Sequence, residues 1–323
     1  MMTPLTPGRW TGLRKTSSSR DIFTILAFDQ RGTFRKMLPA DATYEMTANI
    51  KKEVVARLSM FSSAVLLDPE YGLPSALHLA RTSGLLMALE KSGYSGDSTY
   101  RKIDFDPAWS VAKIRKMGAS AVKLLAYYHP DSGALAEEIE GVIKGVVDEC
   151  HAYDLPLFLE PVSYSLEPGI SKESAAFAQT RPTVVKETAR RLSRSGADIL
   201  KLEFPVDAAF DNNYDHWRSA CEAVSEASAV PWVLLSAGVD FDTFAEQTRI
   251  ACQAGASGFL AGRAIWKEGV SRGAAERQQF LEEVAVPRFQ RLVQLAEDNA
   301  RPWTHWYSPV EAREGWQKTY AVK

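Results

Sequence analysis

SGADILKLEF, residues 195–204, is the stretch whose reading decides the fold. An amphipathic run, Thr183–Ser195, ends at Gly196, and a short apolar run begins at Ile199. Glycine is the usual left-handed terminator of a helix. A near-continuous apolar run is what a parallel strand looks like when helices cover its outer face. The pattern recurs at Met117-Gly118-Ala119-Ser120 before AVKLLA, and at Ala254-Gly255-Ala256-Ser257 before GFLAG. Extending outward from these three places gives candidate strands at Phe23–Phe28, Ala64–Asp68, Gly84–Leu89, Ala121–Ala126, Pro156–Glu160, Ile199–Glu203, Trp232–Ser236 and Gly258–Gly262. Most intervals hold a helix, such as Phe241–Ala254, and Arg277–Asn299 reads as a closing helix. The interval YGLPSALHLARTS is short for a full one. Strand–helix units repeated without a composition break predict an α/β protein, a (β/α)₈ TIM barrel. The expected organisation is a single domain over residues 1–323, with a C-terminal extension from about 300.

Bulk properties narrow the function classes. The chain has 323 residues, 46% hydrophobic and 24% charged, with a net charge of −2, so it can bury a large core without staples. No basic excess argues for nucleic acid, and any anion site must be local. Cys150, Cys221 and Cys252 are dispersed, which suits a reducing cytoplasm and not a disulfide framework or a zinc knuckle. No apolar run reaches membrane-spanning length, and the N-terminus lacks the apolar core of an export signal. The expected location is therefore the cytoplasm.

In a barrel, chemistry sits at the C-terminal ends of the strands. The polar residues there form one set: Asp29, Gln30 and Arg31 after the first strand, Lys123 in the fourth, Glu160 ending the fifth, and Lys201 and Glu203 in the sixth. Ser236 and Gly238 follow the seventh strand, and Gly262 and Arg263 the eighth. A lysine inside an apolar strand is unexpected. Either it snorkels from a strand end, or desolvation and a neighbouring cation lower its pKa and free an amine for attack on a carbonyl. Lys123 and Lys201 stand on strands separated by only one other and are expected to lower each other's pKa. Glu160 is a proton-transfer candidate, and Asp29 a carboxylate between the two lysines. Small residues at the last two strand ends let backbone N–H groups approach a phosphate, with Arg263 adding a bidentate contact.

These segments resemble the class I tagatose-bisphosphate aldolase family, which includes the bacterial sulfofructosephosphate aldolases. LAFDQRGTFRKML, DPEYGLP, LLMALEKSGY, VKLLAYY, FLEPVSY, GADILKLEFPV and LLSAGV…AGASGFLAGRAIW follow in family order, from about Trp10 to Trp303. The resemblance implies that Lys201 is the Schiff-base lysine, Glu160 the acid/base, and Asp29 and Lys123 its assistants. It implies that Ser236, Gly238, Gly262 and Arg263 hold the phosphate nearest the ketone, and that Gln30 and Arg31 border the sugar. The reaction so implied cleaves tagatose 1,6-bisphosphate to dihydroxyacetone phosphate and glyceraldehyde 3-phosphate without a cofactor. Sulfofructose 1-phosphate, which would give sulfolactaldehyde, is the alternative substrate. Tyr71, Arg31 and Tyr128 are candidates for the far anion.

Two rival readings have their own signatures. A metal-dependent aldolase needs convergent histidines, and none of His78, His129, His151, His216 or His305 falls at an expected strand tip, His129 coming nearest. A barrel that only binds sugar phosphate, as a regulator, would not need a nucleophile. The aromatic tail PWTHWYSPV either covers the barrel or meets another subunit, so a homo-oligomer is one expectation.

Overall fold

The computed structural model describes residues 2–320. A short strand, β1 (Thr3–Leu5), and a helix, Pro7–Thr16, come first. The barrel strands follow as β2 (Phe23–Phe28), β3 (Ala64–Leu67), β4 (Gly84–Ala88), β5 (Ala121–Tyr127), β6 (Leu157–Val162), β7 (Ile199–Leu202), β8 (Trp232–Leu235) and β9 (Gly258–Ala261). Each pairs in parallel with its neighbour in sequence, and β2 pairs with β9 to close the ring. This is the expected TIM barrel, with strand ends displaced by two residues at most. Residues of β2, β3 and β4 are buried throughout, because barrel interior and helix layer cover both faces. Gly118, Gly196 and Gly255, which precede β5, β7 and β9, have φ of +87°, +96° and +110°. The helix-ending role read from the repeated pattern therefore has its left-handed backbone.

Two helices depart from expectation, both at prolines. The helix before β7 runs Ala175–Leu192, beginning eight residues earlier than expected and passing through Pro182. Proline removes one helical hydrogen bond, but the Ser174 side chain caps Phe177 N–H, and buried Phe177, Val184 and Val185 bind the helix to the core. The closing helix begins at Ala274 and widens into a π turn, Leu281–Ala285, just before Pro287. The missing N–H of Pro287 cannot continue the α ladder there. Between β3 and β4 only one helical turn forms, Leu73–Ala76.

The face carrying the strands' N-terminal ends is sealed by both chain ends. Gly12 packs so closely that a side chain there would stand 2.5 Å from Ser120 O and 2.7 Å from Pro156. Arg9 binds Asp198 at 2.5 Å, and Asp198 also accepts from Leu157 N–H at 2.8 Å. The tail comes back to the same place: Trp303 is buried against Trp10, Tyr307 Oη donates to Asp198 O at 2.7 Å, and β10 (Tyr307–Pro309) pairs with β1. The two most buried tail aromatics thus cover the barrel. The three cysteines are unpaired and buried. Among the described residues, no helix is long and apolar enough to cross a membrane.

Candidate active site

At the opposite face, the strand ends surround a cavity of about 590 Å³. Asp29, Lys123, Glu160 and Arg263 all line it. Lys201, only 3% exposed, reaches the lining through Glu160, whose Oε1 is 2.8 Å from Lys201 Nζ. The other Glu160 oxygen lies 2.9 Å from Lys123 Nζ. Lys123 also donates to Asp29 Oδ2 at 2.8 Å and to Glu90 Oε1 at 2.7 Å. Asp29 therefore binds one of the two lysines, Lys123, rather than spanning both.

This arrangement overturns one expectation and separates the lysines chemically. Burial disfavours the Lys123 ammonium, but Asp29, Glu160 and Glu90 outweigh it and hold its pKa well above the usual lysine range. Lys123 is thus a fixed positive charge, not a second free amine. Opposite charges at hydrogen-bond distance dominate over a cation on the next strand but one, because Coulomb energy falls with distance. Asp29 shows the reciprocal effect. Burial alone would raise its pKa, yet Lys123, Lys201 and Arg31 hold it well below the usual carboxylate range.

The last two strand ends form a second cluster. Ser236 Oγ accepts from Gly262 N–H at 3.3 Å, and Arg263 donates to Ala237 O at 3.2 Å. Ala237 and Gly238 have φ of +44° and +89°. A left-handed alanine costs about 1–2 kcal/mol, and such strain concentrates at functional turns. A side chain at Gly238 would stand 2.8 Å from Arg263 Cζ, so the guanidinium lies directly over this turn. Consecutive N–H groups under an arginine form a concavity suited to an anion. Gln30 reaches the same place, its Nε2 only 3.5 Å from where a Gly262 side chain would begin.

A family description, DeoC/LacD family aldolase, matches residues 23–268, which contain all of these groups. The chain belongs to that family. Two curated relatives are similar over nearly their whole lengths. Tagatose 1,6-diphosphate aldolase 2 of Streptococcus agalactiae serotype III (strain NEM316) is 35% identical, covering 90% of this chain and 96% of that protein. Tagatose 1,6-diphosphate aldolase 1 of Streptococcus pyogenes serotype M3 (strain SSI-1) is 36% identical, covering 89% and 95%. Among solved structures, an archaeal fructose 1,6-bisphosphate aldolase superposes with a TM-score of 0.60 at 18% identity, covering 89% of this chain and 98% of that one. A fructose-bisphosphate aldolase from Slackia heliotrinireducens gives a TM-score of 0.63 at 14% identity, covering 89% of each. At those identities the superpositions speak to the fold. Aldolases of this family are carbon–carbon lyases, and the chain is one of them.

Several residues of this aldolase site escaped the reading of strand ends. Glu90, 4% exposed, binds Lys123 and accepts from Leu125 N–H at 3.0 Å, while its backbone carbonyl accepts from Arg31 at 2.9 Å. It closes the apolar run LLMALE just as Glu160 closes LPLFLE, and that parallel was the available signal. Lys172 and Arg181 also line the cavity, from the segment after β6. Lys172 donates to Glu203 at 2.5 Å, and Ser163 donates to the other Glu203 oxygen. Burial opposes ionisation of Glu203, but Lys172 and Arg181 bring its pKa down to about 2. No strand periodicity marks Lys172 or Arg181. The far-anion candidates divide: Arg31 lines the cavity, whereas Tyr128 bonds Glu140 and Tyr71 packs on Tyr44, neither in the lining. Among the described residues, no three His, Cys, Asp or Glu side chains are grouped to hold a metal ion.

Proposed function

We propose that the protein is a class I aldolase that cleaves tagatose 1,6-bisphosphate to dihydroxyacetone phosphate and glyceraldehyde 3-phosphate through a Schiff base on Lys201. The observation that carries this reading is the Glu160 bridge, 2.8 Å from Lys201 and 2.9 Å from Lys123. With Lys123 held as a cation by three carboxylates, Lys201 is, of the two lysines inside barrel strands, the one left to act as nucleophile. The relatives named tagatose 1,6-diphosphate aldolase support the choice of sugar. A reducing cytoplasm is where we place the enzyme.

The roles follow from position. The C1 phosphate sits on the Ser236–Gly238 turn and Gly262, under Arg263, which brings the C2 ketone toward Lys201. Unprotonated Lys201 attacks C2, and Glu160 passes a proton to the departing oxygen, so water leaves and an iminium forms. The iminium nitrogen takes up the C3–C4 electron pair as the C4 hydroxyl loses its proton to a carboxylate, Asp29 or Glu160. The aldehyde departs, leaving an enamine. Protonation at C3 and hydrolysis then release dihydroxyacetone phosphate and restore the Lys201 amine. Lys123 keeps Asp29 and Glu160 oriented and their charge compensated throughout.

The deciding experiment compares cleavage of tagatose 1,6-bisphosphate, fructose 1,6-bisphosphate and sulfofructose 1-phosphate by wild type and Lys201→Ala. Borohydride trapping is run in parallel and the modified residue mapped. Tagatose bisphosphate should give the highest kcat/KM, and Lys201 alone should carry the adduct. Undiminished turnover by Lys201→Ala would end the Schiff-base reading. Preference for the sulfosugar would replace the substrate and keep the chemistry. Binding without trapping or turnover would favour a sugar-phosphate regulator.

A further inference from the structure

Lys51 has no place in the reaction just described, yet its side chain is fully buried together with that of its partner Asp68. It projects from the helix Tyr44–Leu58, which packs on β2. Its ammonium donates to Phe28 O at 2.8 Å and to Gln30 O at 3.1 Å, and it pairs with the Asp68 carboxylate. Asp68, just past the end of β3, is itself fixed, its other oxygen accepting from Glu70 N–H at 2.9 Å and Tyr71 N–H at 2.8 Å. The Phe28 ring lies 4.7 Å from the Lys51 nitrogen and completes the enclosure.

A buried ion pair is a poor way to gain stability, since desolvation consumes much of the attraction and apolar side chains of similar volume do as well. What this pair does instead is visible in the atoms it holds. The Phe28 carbonyl lies in the peptide plane that leads into Asp29 and the Gln30 carbonyl in the plane that leaves Gln30, so the ammonium ties down the backbone on both sides of the Asp29–Gln30 pair. With those planes set, Asp29 Oδ2 meets Lys123 at 2.8 Å. Asp29 Oδ1 and Gln30 Oε1 are buried without a hydrogen-bond partner, and both residues line the cavity. Buried acceptors are normally satisfied, so two unsatisfied ones on adjacent cavity residues are places for donors from a ligand.

We infer that Lys51, anchored by Asp68, is a positioning residue for carbon–carbon cleavage: it holds Asp29 and Gln30 so that their free oxygens accept from the substrate's hydroxyls. The inference rests on the Schiff-base reading. It separates two halves of the cycle, because Lys51 touches neither Lys201 nor Glu160. Iminium formation should be insensitive to it, and bond cleavage sensitive.

The test uses the full chain in three forms: wild type, Lys51→Met/Asp68→Asn, and Asp68→Asn. The double variant leaves no unpaired charge in the interior. The single variant retains the Oδ1 that holds the Glu70–Tyr71 turn but leaves the buried Lys51 ammonium without its carboxylate, so it should lower Tm more than the double variant and is read only on the fraction that still traps. Active sites are counted by borohydride trapping with dihydroxyacetone phosphate, which forms the iminium without needing a C4 hydroxyl. Turnover of the ketose bisphosphate is then expressed per trapped site, a ratio that misfolded protein does not change. Displacements near an ångström cost up to about a hundredfold, so kcat per trapped site should fall about tenfold to a hundredfold in the double variant and about threefold to tenfold in the single one. KM should change far less. Unchanged kcat per trapped site, with only a lower Tm, would make Lys51 a structural residue and overturn the inference. Loss of trapping in a folded variant would overturn it too, since the effect would not be confined to cleavage. Failure to trap wild type at Lys201 would instead sink the underlying Schiff-base reading.

Discussion

Glu160 Oε1 stands 2.8 Å from Lys201 Nζ, inside a site where Lys201 is only 3% exposed. A carboxylate so close to the amine, bound on its other side to the Lys123 ammonium, can give and take a proton at the oxygen of the carbon that Lys201 attacks in the proposed mechanism. Glu160→Gln keeps the shape and removes that capacity. The expected loss in kcat is about a hundredfold to ten-thousandfold, with iminium formation, followed by rapid quench with borohydride, as the slowed step. A variant that forms the iminium at the wild-type rate would move proton transfer elsewhere.

Lys123 pairs with Asp29, Glu90 and Glu160 in one buried space. Lys123→Met would leave those carboxylates without their shared cation. Removing one partner of a buried pair costs about 3–5 kcal/mol, so a clear fall in the urea midpoint should accompany loss of turnover. Wild-type stability at Lys123→Met would show that the three carboxylates do not depend on this ammonium.

The same contacts set the dependence of stability on pH. Asp29 has a folded pKa below its ordinary value of 3.8, so its contribution is present above about pH 4 and is lost as pH falls toward the folded pKa. Lys123 has a folded pKa above 10.5, so its contribution is present below that value and is lost as pH rises through the folded pKa. Urea midpoints measured across pH should therefore form a plateau with an acid and an alkaline limb. In Lys123→Met the acid limb should shrink or invert, because burial then raises the Asp29 pKa with its foremost opposing cation gone and the gap between folded and unfolded values closes. An unchanged acid limb would contradict the assignment.

Gly238 combines φ of +89° with the Arg263 guanidinium overhead. Gly238→Ala should strain the turn and displace Arg263, while Arg263→Ala removes the cation alone. Charge-assisted hydrogen bonds contribute about 1.5–3 kcal/mol, so either change should raise KM for a ketose 1-phosphate about tenfold to a hundredfold. Inhibition by inorganic phosphate should weaken in parallel. Unaltered phosphate inhibition in both variants would move the anion to another part of the cavity.

Asp198 lies on the opposite face, fully buried between Arg9 and Leu157 N–H. Asp198→Ala strands Arg9 and one backbone donor, so folding stability should drop by about 3–5 kcal/mol. Because this face of a barrel serves stability and not chemistry, kcat/KM of the folded fraction should stay within about twofold of wild type. A larger change would mean that the sealed end communicates with the site.

Local sequence determined the barrel by itself. A glycine that must take a left-handed backbone, followed by a branched apolar run, has the same meaning at 118, 196 and 255 wherever the chain goes afterwards. Strand-end position likewise brought Asp29, Lys123, Glu160 and Arg263 to one cavity, because every parallel strand of a closed barrel ends on the same side. Tertiary structure alone decided that Lys123 is held as a cation. The pKa of Lys123 depends on three carboxylates drawn from three other strand ends, and Coulomb energy follows distance in space, not separation along the chain. Lys51, Lys172 and Arg181 were out of reach of a reading confined to strand ends: helical periodicity sets Lys51 and Arg181 on the buried faces of their helices, but which buried group meets each charge is decided only in the assembled interior. Pro182 misled because its local preference is to end a helix, while packing of Phe177, Val184 and Val185 on the core carries the helix through it. Backbone geometry is a local property and could be read from neighbours in sequence; charge and burial belong to the assembled interior and could not.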